Sequence, residues 1–227
     1  MRRLATAAVA ALVPVLTVAN GVAVLAHPWF VRLEYHRSGF PADELGMSEP
    51  ERLRLALDGL RAVQPWQPTG MTTLERARLA GGELAFTPRE LRHMRDVRRR
   101  IWVLLGLDAV ALPVLLALAL RRRTQPLVRR GLRAGAHATL AVAVAVGVAL
   151  AVDPIGFLTV FHEAVFFSGS SWRFADSDTL RRLYPDRFWQ DTSVILGVGA
   201  AVQALALVAV TGGVSRRRTI RVCRTGS

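Results

Sequence analysis

Four apolar runs, each close to the length of a bilayer crossing, constrain this chain more than anything else in it. They cover about 4–26, 101–120, 132–152 and 192–211. A helix rises about 1.5 Å per residue, so roughly 20 apolar residues cross a hydrocarbon core about 30 Å thick. Lipid offers no partner for a backbone amide, so a run of this kind must be helical. The sequence therefore predicts an all-α integral membrane protein, a single membrane domain over residues 1–227 with four transmembrane helices. Residues 27–100 would form an extracytoplasmic, mainly helical cap, and 153–191 an interfacial or re-entrant loop. Arg2-Arg3 and Val24-Leu25-Ala26 give the first run some likeness to a signal peptide. It is longer than the roughly 7–15 residues of a usual signal core, which favours a retained helix.

Charge placement orients the spans. The chain carries +13, and all of its basic residues are arginine. Arg2 and Arg3 precede the first run. Arg121, Arg122, Arg123, Arg129, Arg130 and Arg133 lie between the second and third. Arg216, Arg217, Arg218, Arg221 and Arg224 follow the fourth. No acidic residue accompanies them, and together they account for the whole net charge. The positive-inside rule puts both termini and the middle loop in the cytoplasm. The excess charge is then a topology signal and a contact for anionic lipids at the cytoplasmic face, and a nucleic-acid role loses its support. Arg98, Arg99 and Arg100 flank the second run on the opposite side, which long translocated loops tolerate. The lone cysteine, Cys223, can form no intrachain disulfide and makes a poor metal site.

Within 27–100 the sequence predicts short helices. Ser48-Glu49-Pro50-Glu51 is a capping box ahead of an apolar-periodic run ending near Val63. Thr72 with Glu75 starts another, stopped at Gly81-Gly82. Thr87-Pro88-Arg89-Glu90 supplies an N-cap, a first-turn proline and a glutamate at the third position. From Pro88 the helix should run unbroken into the second span.

The stretch 153–191 holds much of the aromatic content. Phe157, Phe161, Phe166 and Phe167 surround His162, and Trp172, Phe174, Tyr184, Phe188 and Trp189 follow. Rings of this kind favour the membrane–water interface. An imidazole there is costly unless partnered. The bland reading is a histidine bonded to a backbone carbonyl. His93 has Glu90 and Asp96 three residues to either side on one helix face, with Arg89, Arg92 and Arg100 able to pair with them. Its bland reading is a solvated, charge-laced helix. His162-Glu163 lacks the second histidine of HExxH, so neither a metal nor another cofactor is expected. Asp108 lies about 10 Å inside the second span, where a carboxylate marks function or an interhelical hydrogen bond. His137 should sit at the cytoplasmic interface. Gly131 and Gly135 are spaced for close helix packing. Ser168, Ser170 and Ser171 read as turn residues, since no G-x-S-x-G surrounds them.

Two segments resemble a known family. Glu90-Leu91-Arg92-His93-Met94-Arg95-Asp96-Val97-Arg98 is similar to its motif before the second span. Phe161-His162 through Phe166-Phe167, then Trp172, Leu180, Tyr184-Pro185 and Phe188, is similar to its signature between the third and fourth. The family comprises four-span membrane proteins and includes the lipoprotein intramolecular transacylases. The resemblance implies transfer of the sn-2 acyl chain of a diacylglyceryl-cysteine lipoprotein onto that cysteine's own amine. It implies a bacterial cytoplasmic membrane, a site on the outer face, membrane lipid and a diacylated lipoprotein as partners, and His93 and His162 as the key pair. His162, the more lipid-proximal, would be the acid/base, and His93 would orient it or hold substrate. Asp96, Glu90, Glu163, Arg98 and Trp172 would support them. A non-enzymatic scaffold displaying the aromatic surface, or a small transporter using Asp108 and His137, remains the alternative reading.

Overall fold

The computed structural model describes residues 1–166 and 173–223. Among these the chain forms nine helices: α1 (Arg2–Leu25), α2 (Pro28–Tyr35), α3 (Glu49–Val63), α4 (Gly70–Glu75), α5 (Pro88–Leu120), α6 (Gln125–Val152), α7 (Pro154–Phe166), α8 (Thr179–Leu183) and α9 (Asp186–Cys223). The one β feature among the described residues is an isolated bridge between Arg78 and Leu84. Four helices, α1, α5, α6 and α9, are long and apolar enough to cross a membrane. The protein is an all-α, multi-pass membrane protein.

The helices divide into two compact units. The first holds Met1–Val22, Gly106–Val148 and the chain from Val194 onward. Its core gathers Val9 and Leu16 of α1, Leu115 of α5 and Val128 of α6. The glycine spacing of α6 is used here. A Cβ on Gly131 would come within 2.6 Å of Val9 Cβ, and one on Gly135 within 2.6 Å of both the Ala10 carbonyl oxygen and Val13 Cβ. Such close backbone approach replaces hydrophobic driving force as the means of helix association in lipid. A polar tie joins α1 to α9: Asn20 Nδ2 donates to Gln203 Oε1 at 3.2 Å, and Gln203 Nε2 donates to the Thr17 carbonyl at 3.1 Å. Val110, Leu116, Val144, Val148, Val198 and Val210 are exposed, an apolar surface suited to acyl chains.

The second unit holds Ala23–Leu105 and Ala149–Ser193. Its core is built from α2, α3, α4, α8 and the start of α9, with Phe30, Leu55, Leu74, Leu183 and Phe188 buried. Two tyrosines span it. Tyr35 Oη donates to the Leu183 carbonyl at 2.8 Å, and Tyr184 Oη to the Ala56 carbonyl at 2.6 Å. Arg52, 4% exposed, donates to the carbonyls of Pro41 and Arg182. Arg182 in turn forks onto Asp43 at 2.9 and 2.8 Å. This carries the cap's long-range order on charge-assisted bonds, about twice as strong as neutral ones.

Local expectations meet mixed outcomes. The Thr87 box forms in full. Ser48 does cap α3, but its side chain makes no capping bond, and Glu51 instead accepts from the Ala80 amide at 2.6 Å. A helix near Thr72 exists, but it spans Gly70–Glu75, so Glu75 ends it. Its start is set by packing: a Cβ on Gly70 would lie 2.2 Å from the Arg61 carbonyl oxygen. Helix α2 was not foreseen.

Candidate active site

The site begins with the cap of α5. Thr87 donates from its amide and its hydroxyl to Glu90 Oε2, at 2.8 and 2.9 Å. The Glu90 amide donates back to Thr87 Oγ1 at 3.3 Å. The other oxygen, Oε1, accepts from the Leu180 amide at 2.7 Å. Glu90 is 1% exposed. Its carboxylate therefore fixes the first turn of α5 and moors α8 to it, while Thr179 Oγ1 donates to the Ala85 carbonyl at 2.5 Å. Glu90 thus pairs with none of the arginines first considered for it. Arg89 reaches away, to Asp178 Oδ2 at 3.0 Å and the Arg173 carbonyl at 2.5 Å.

One turn on, His93 is half-buried. Its ring meets Phe174 edge-on at 5.2 Å, and the Arg89 guanidinium lies 5.0 Å above the same phenylalanine. Burial is the main cause that pushes the His93 pKa down, to about 4. Positive charge on His162 and Arg100 adds to it, and Asp96 opposes. His93 lies ahead of the apolar run of α5, and near neutral pH its ring is uncharged.

His162 sits on α7. Asp153 starts that helix, accepting from the Gly156 amide at 2.9 Å, with Pro154 in the first turn. The His162 Nδ1 is 2.7 Å from the Leu158 carbonyl oxygen. A carbonyl only accepts, so Nδ1 carries the proton and Nε2 is the basic nitrogen. Phe161 and Trp189 each meet the ring edge-on at 5.8 Å. Trp189 in turn meets Phe188 edge-on at 5.4 Å and Tyr184 at a tilt at 6.1 Å, both in the cap core. The carbonyl-bonded histidine, offered as the bland reading, is what the structure contains. The same bond gives the ring a defined tautomer, which a proton-transfer group needs.

The other named residues divide. Asp96 acts on His93 electrostatically, and its carbonyl accepts from Arg100. Glu163 pairs with Arg173 at 2.7 Å, both largely exposed, so the pair contributes little energy. Arg98 donates to the Ala62 carbonyl at 2.6 Å and lies 4.4 Å over Trp102. Trp172 and Ser168, Ser170 and Ser171 lie outside the described residues. Asp108 belongs to the other unit, and its Oδ1 is buried without a hydrogen-bond partner among the described residues. His137 bonds the Arg133 carbonyl within its own helix. No three metal-ligating side chains converge among the described residues. Phe174 and Trp189 are the contacts that sequence reasoning did not select. Their signal was the aromatic density after His162, without any indication of which ring meets which histidine.

Comparison with known proteins adds the chemistry. Residues 5–189 match the family described as "Lipoprotein intramolecular transacylase Lit". An uncharacterised protein of Aquifex aeolicus is 30% identical over 199 residues, 87% of this chain and 88% of that protein. The in meso structure of the membrane integral lipoprotein intramolecular transacylase Lit from Bacillus cereus aligns with a TM-score of 0.71. That alignment covers 97% of this chain and 98% of the other at 16% identity, a likeness of fold.

Proposed function

The chain belongs to the lipoprotein intramolecular transacylase family, and on that premise we propose that it transfers the sn-2 acyl chain of a diacylglyceryl-cysteine lipoprotein to the cysteine's own α-amine. The family is one of acyltransferases acting on lipoproteins in the membrane, so the chain is an enzyme and not a scaffold or transporter. The observation that carries the specific mechanism is the His162 Nδ1 bond to Leu158 at 2.7 Å, beside an uncharged His93.

The reaction needs no enzyme nucleophile. The neutral amine nitrogen attacks the sn-2 ester carbonyl, a C–N bond forms and the C–O bond to glycerol breaks. One proton must leave nitrogen and reach the departing oxygen. His162 Nε2 takes it and returns it, an acid/base role worth about 10²–10⁴-fold. Holding amine and ester together supplies roughly 7–11 kcal/mol of the barrier. A free α-amine has a pKa of about 7.7–8.0, so a useful fraction is neutral near pH 7. His93 orients this centre, Asp96 balances His93, and the aromatic face of α7 and α9 meets the acyl chains. The site opens to the outer leaflet, both termini are cytoplasmic, and the terminal and middle-loop arginines meet anionic lipids inside.

The test is the purified protein with a synthetic diacylglyceryl-cysteine lipopeptide, with products sequenced by tandem mass spectrometry. N-acyl, lyso-glyceryl product is expected from the parent. His162→Gln keeps a similar size and hydrogen bonding but cannot cycle a proton near neutral pH, and should form none. Product at the parent rate from His162→Gln would sink the assignment.

A further inference from the structure

The arginines that sit against the positive-inside rule have a structural setting of their own. Arg95, Arg98, Arg99, Trp102 and Val103 recur at helical spacing and line one open groove of about 430 Å³ on α5. Arg95 is two positions on from His93, about 200° of helical turn, so the groove lies on the face of α5 opposite the histidine. It is graded along the helix. Arg95, Arg98 and Arg99 form its upper part, and Trp102 and Val103, 42% and 66% exposed, begin the apolar run below. Arg98 is held in place by the Ala62 carbonyl and lies over Trp102. Glu75 neutralises Arg95 at 2.6 Å. Arg99 has no carboxylate partner among the described residues, so the groove keeps a positive excess.

A run of exposed arginines is ordinarily a solvated surface. This one is different because its cations sit directly above an exposed indole and valine at the edge of a membrane span. That is the depth at which lipid phosphates lie, and tryptophan favours it. Arginine matches a phosphate oxygen pair with two parallel N–H donors. We propose that this groove binds the headgroup phosphate of an anionic phospholipid, with the lipid's upper acyl carbons against Trp102 and Val103. It is a lipid site separate from the histidine pair, and it fixes the height at which α5 sits in the bilayer.

The experiment measures binding, so its failure would leave the transacylation reading untouched. The full chain in a non-ionic detergent is titrated with dioctanoyl phosphatidylglycerol, dioctanoyl phosphatidylcholine or inorganic phosphate, and affinity is read from the shift in melting temperature. Saturable binding of phosphatidylglycerol is expected, with weaker binding of phosphatidylcholine and none of phosphate. Arg99→Gln, at an exposed position, should weaken phosphatidylglycerol about fivefold, the equivalent of one interfacial cation at about 1 kcal/mol. Arg32→Gln removes an equal charge at an exposed position on α2, outside the groove lining, and should leave affinity unchanged. The proposal is overturned if Arg99→Gln binds like the parent, if Arg32→Gln weakens binding as much, if the two lipids bind alike, or if phosphate alone binds as well.

Discussion

Replacing Glu90 by Gln should release α8 from the start of α5. The carboxylate accepts three hydrogen bonds, from the Thr87 amide, the Thr87 hydroxyl and the Leu180 amide, at 2.8, 2.9 and 2.7 Å. It is 1% exposed, so water cannot stand in. Glutamine keeps the shape but has one oxygen. If that oxygen stays on Leu180, the amide nitrogen faces the Thr87 N–H, donor against donor. If it turns to Thr87, the buried Leu180 amide is orphaned. An unsatisfied buried group costs about 1–3 kcal/mol, and the loss of negative charge in the first helical turn adds about 0.3–1 kcal/mol. The expected cost is therefore about 1–4 kcal/mol, against about 1 kcal/mol for Thr87→Ala, which removes the cap hydroxyl alone. Hydrogen exchange read by mass spectrometry localises it. Each 1.4 kcal/mol is tenfold, so amides of α8 should exchange roughly 10- to 700-fold faster in Glu90→Gln. Exchange of α8 at the parent rate, in a variant that is folded elsewhere, would refute the mooring role.

Two further outcomes follow from the packing. Glu34 is 1% exposed, and its pKa is raised first by burial and then by the charge of Asp191, with Arg37 opposing. A raised carboxyl binds a proton that the unfolded chain has released, so its contribution is full below the ordinary carboxylate range and lost as pH rises through the folded value. Glu34→Gln should therefore show a flatter decline in melting temperature than the parent as pH rises above the ordinary carboxylate range; parallel melting curves would exclude this. Gly135→Leu should destabilise the α1–α6 contact by about 1–3 kcal/mol or more, since even a Cβ meets the Ala10 carbonyl and Val13. Melting of the detergent-solubilised variant measures it, and an unchanged midpoint would show that the helices can part without cost.

What was legible in the sequence was what local chemistry decides. The spans follow from apolar length, and the Thr87–Glu90 box follows from spacing because both partners lie within one turn. The unbroken α5 follows from the absence of any breaker between Pro88 and the apolar run. What failed was decided across the chain. Glu51 has the spacing of a capping box, but the Ala80 amide claims its carboxylate. The start of α4 answers to the Arg61 carbonyl, a partner no local pattern announces. Helix α2 is eight residues long, and its N-cap, His27, makes no side-chain capping bond. Packing of Phe30 against Phe188 at 5.5 Å supports it instead. Asp108, which the sequence offers as either a functional carboxylate or an interhelical hydrogen-bonding group, has its Oδ1 buried without a hydrogen-bond partner among the described residues. The motif residues His93 and His162 were visible, but not the rings beside them, because ring contacts depend on how the cap helices meet.

The asymmetry between the two histidines suits the proposed chemistry for a reason neither residue shows alone. His93 is pushed down to about 4 chiefly by burial, and positive charge on His162 pushes it in the same direction. If His162 takes the proton from the attacking amine, as proposed, its charge would make His93 a still poorer base. The proton would then stay off the neighbouring ring and be available for the departing glycerol oxygen. Two exposed imidazoles with ordinary pKa values would share it, and part of the driving force for its return would be spent on the wrong nitrogen. An uncharged His93 also avoids repelling the amine while that amine is still partly protonated. Burying one ring against Phe174, while the other keeps its Nδ1 proton on Leu158, would separate the proposed positioning role from the proposed proton-carrying one within a pair of identical side chains.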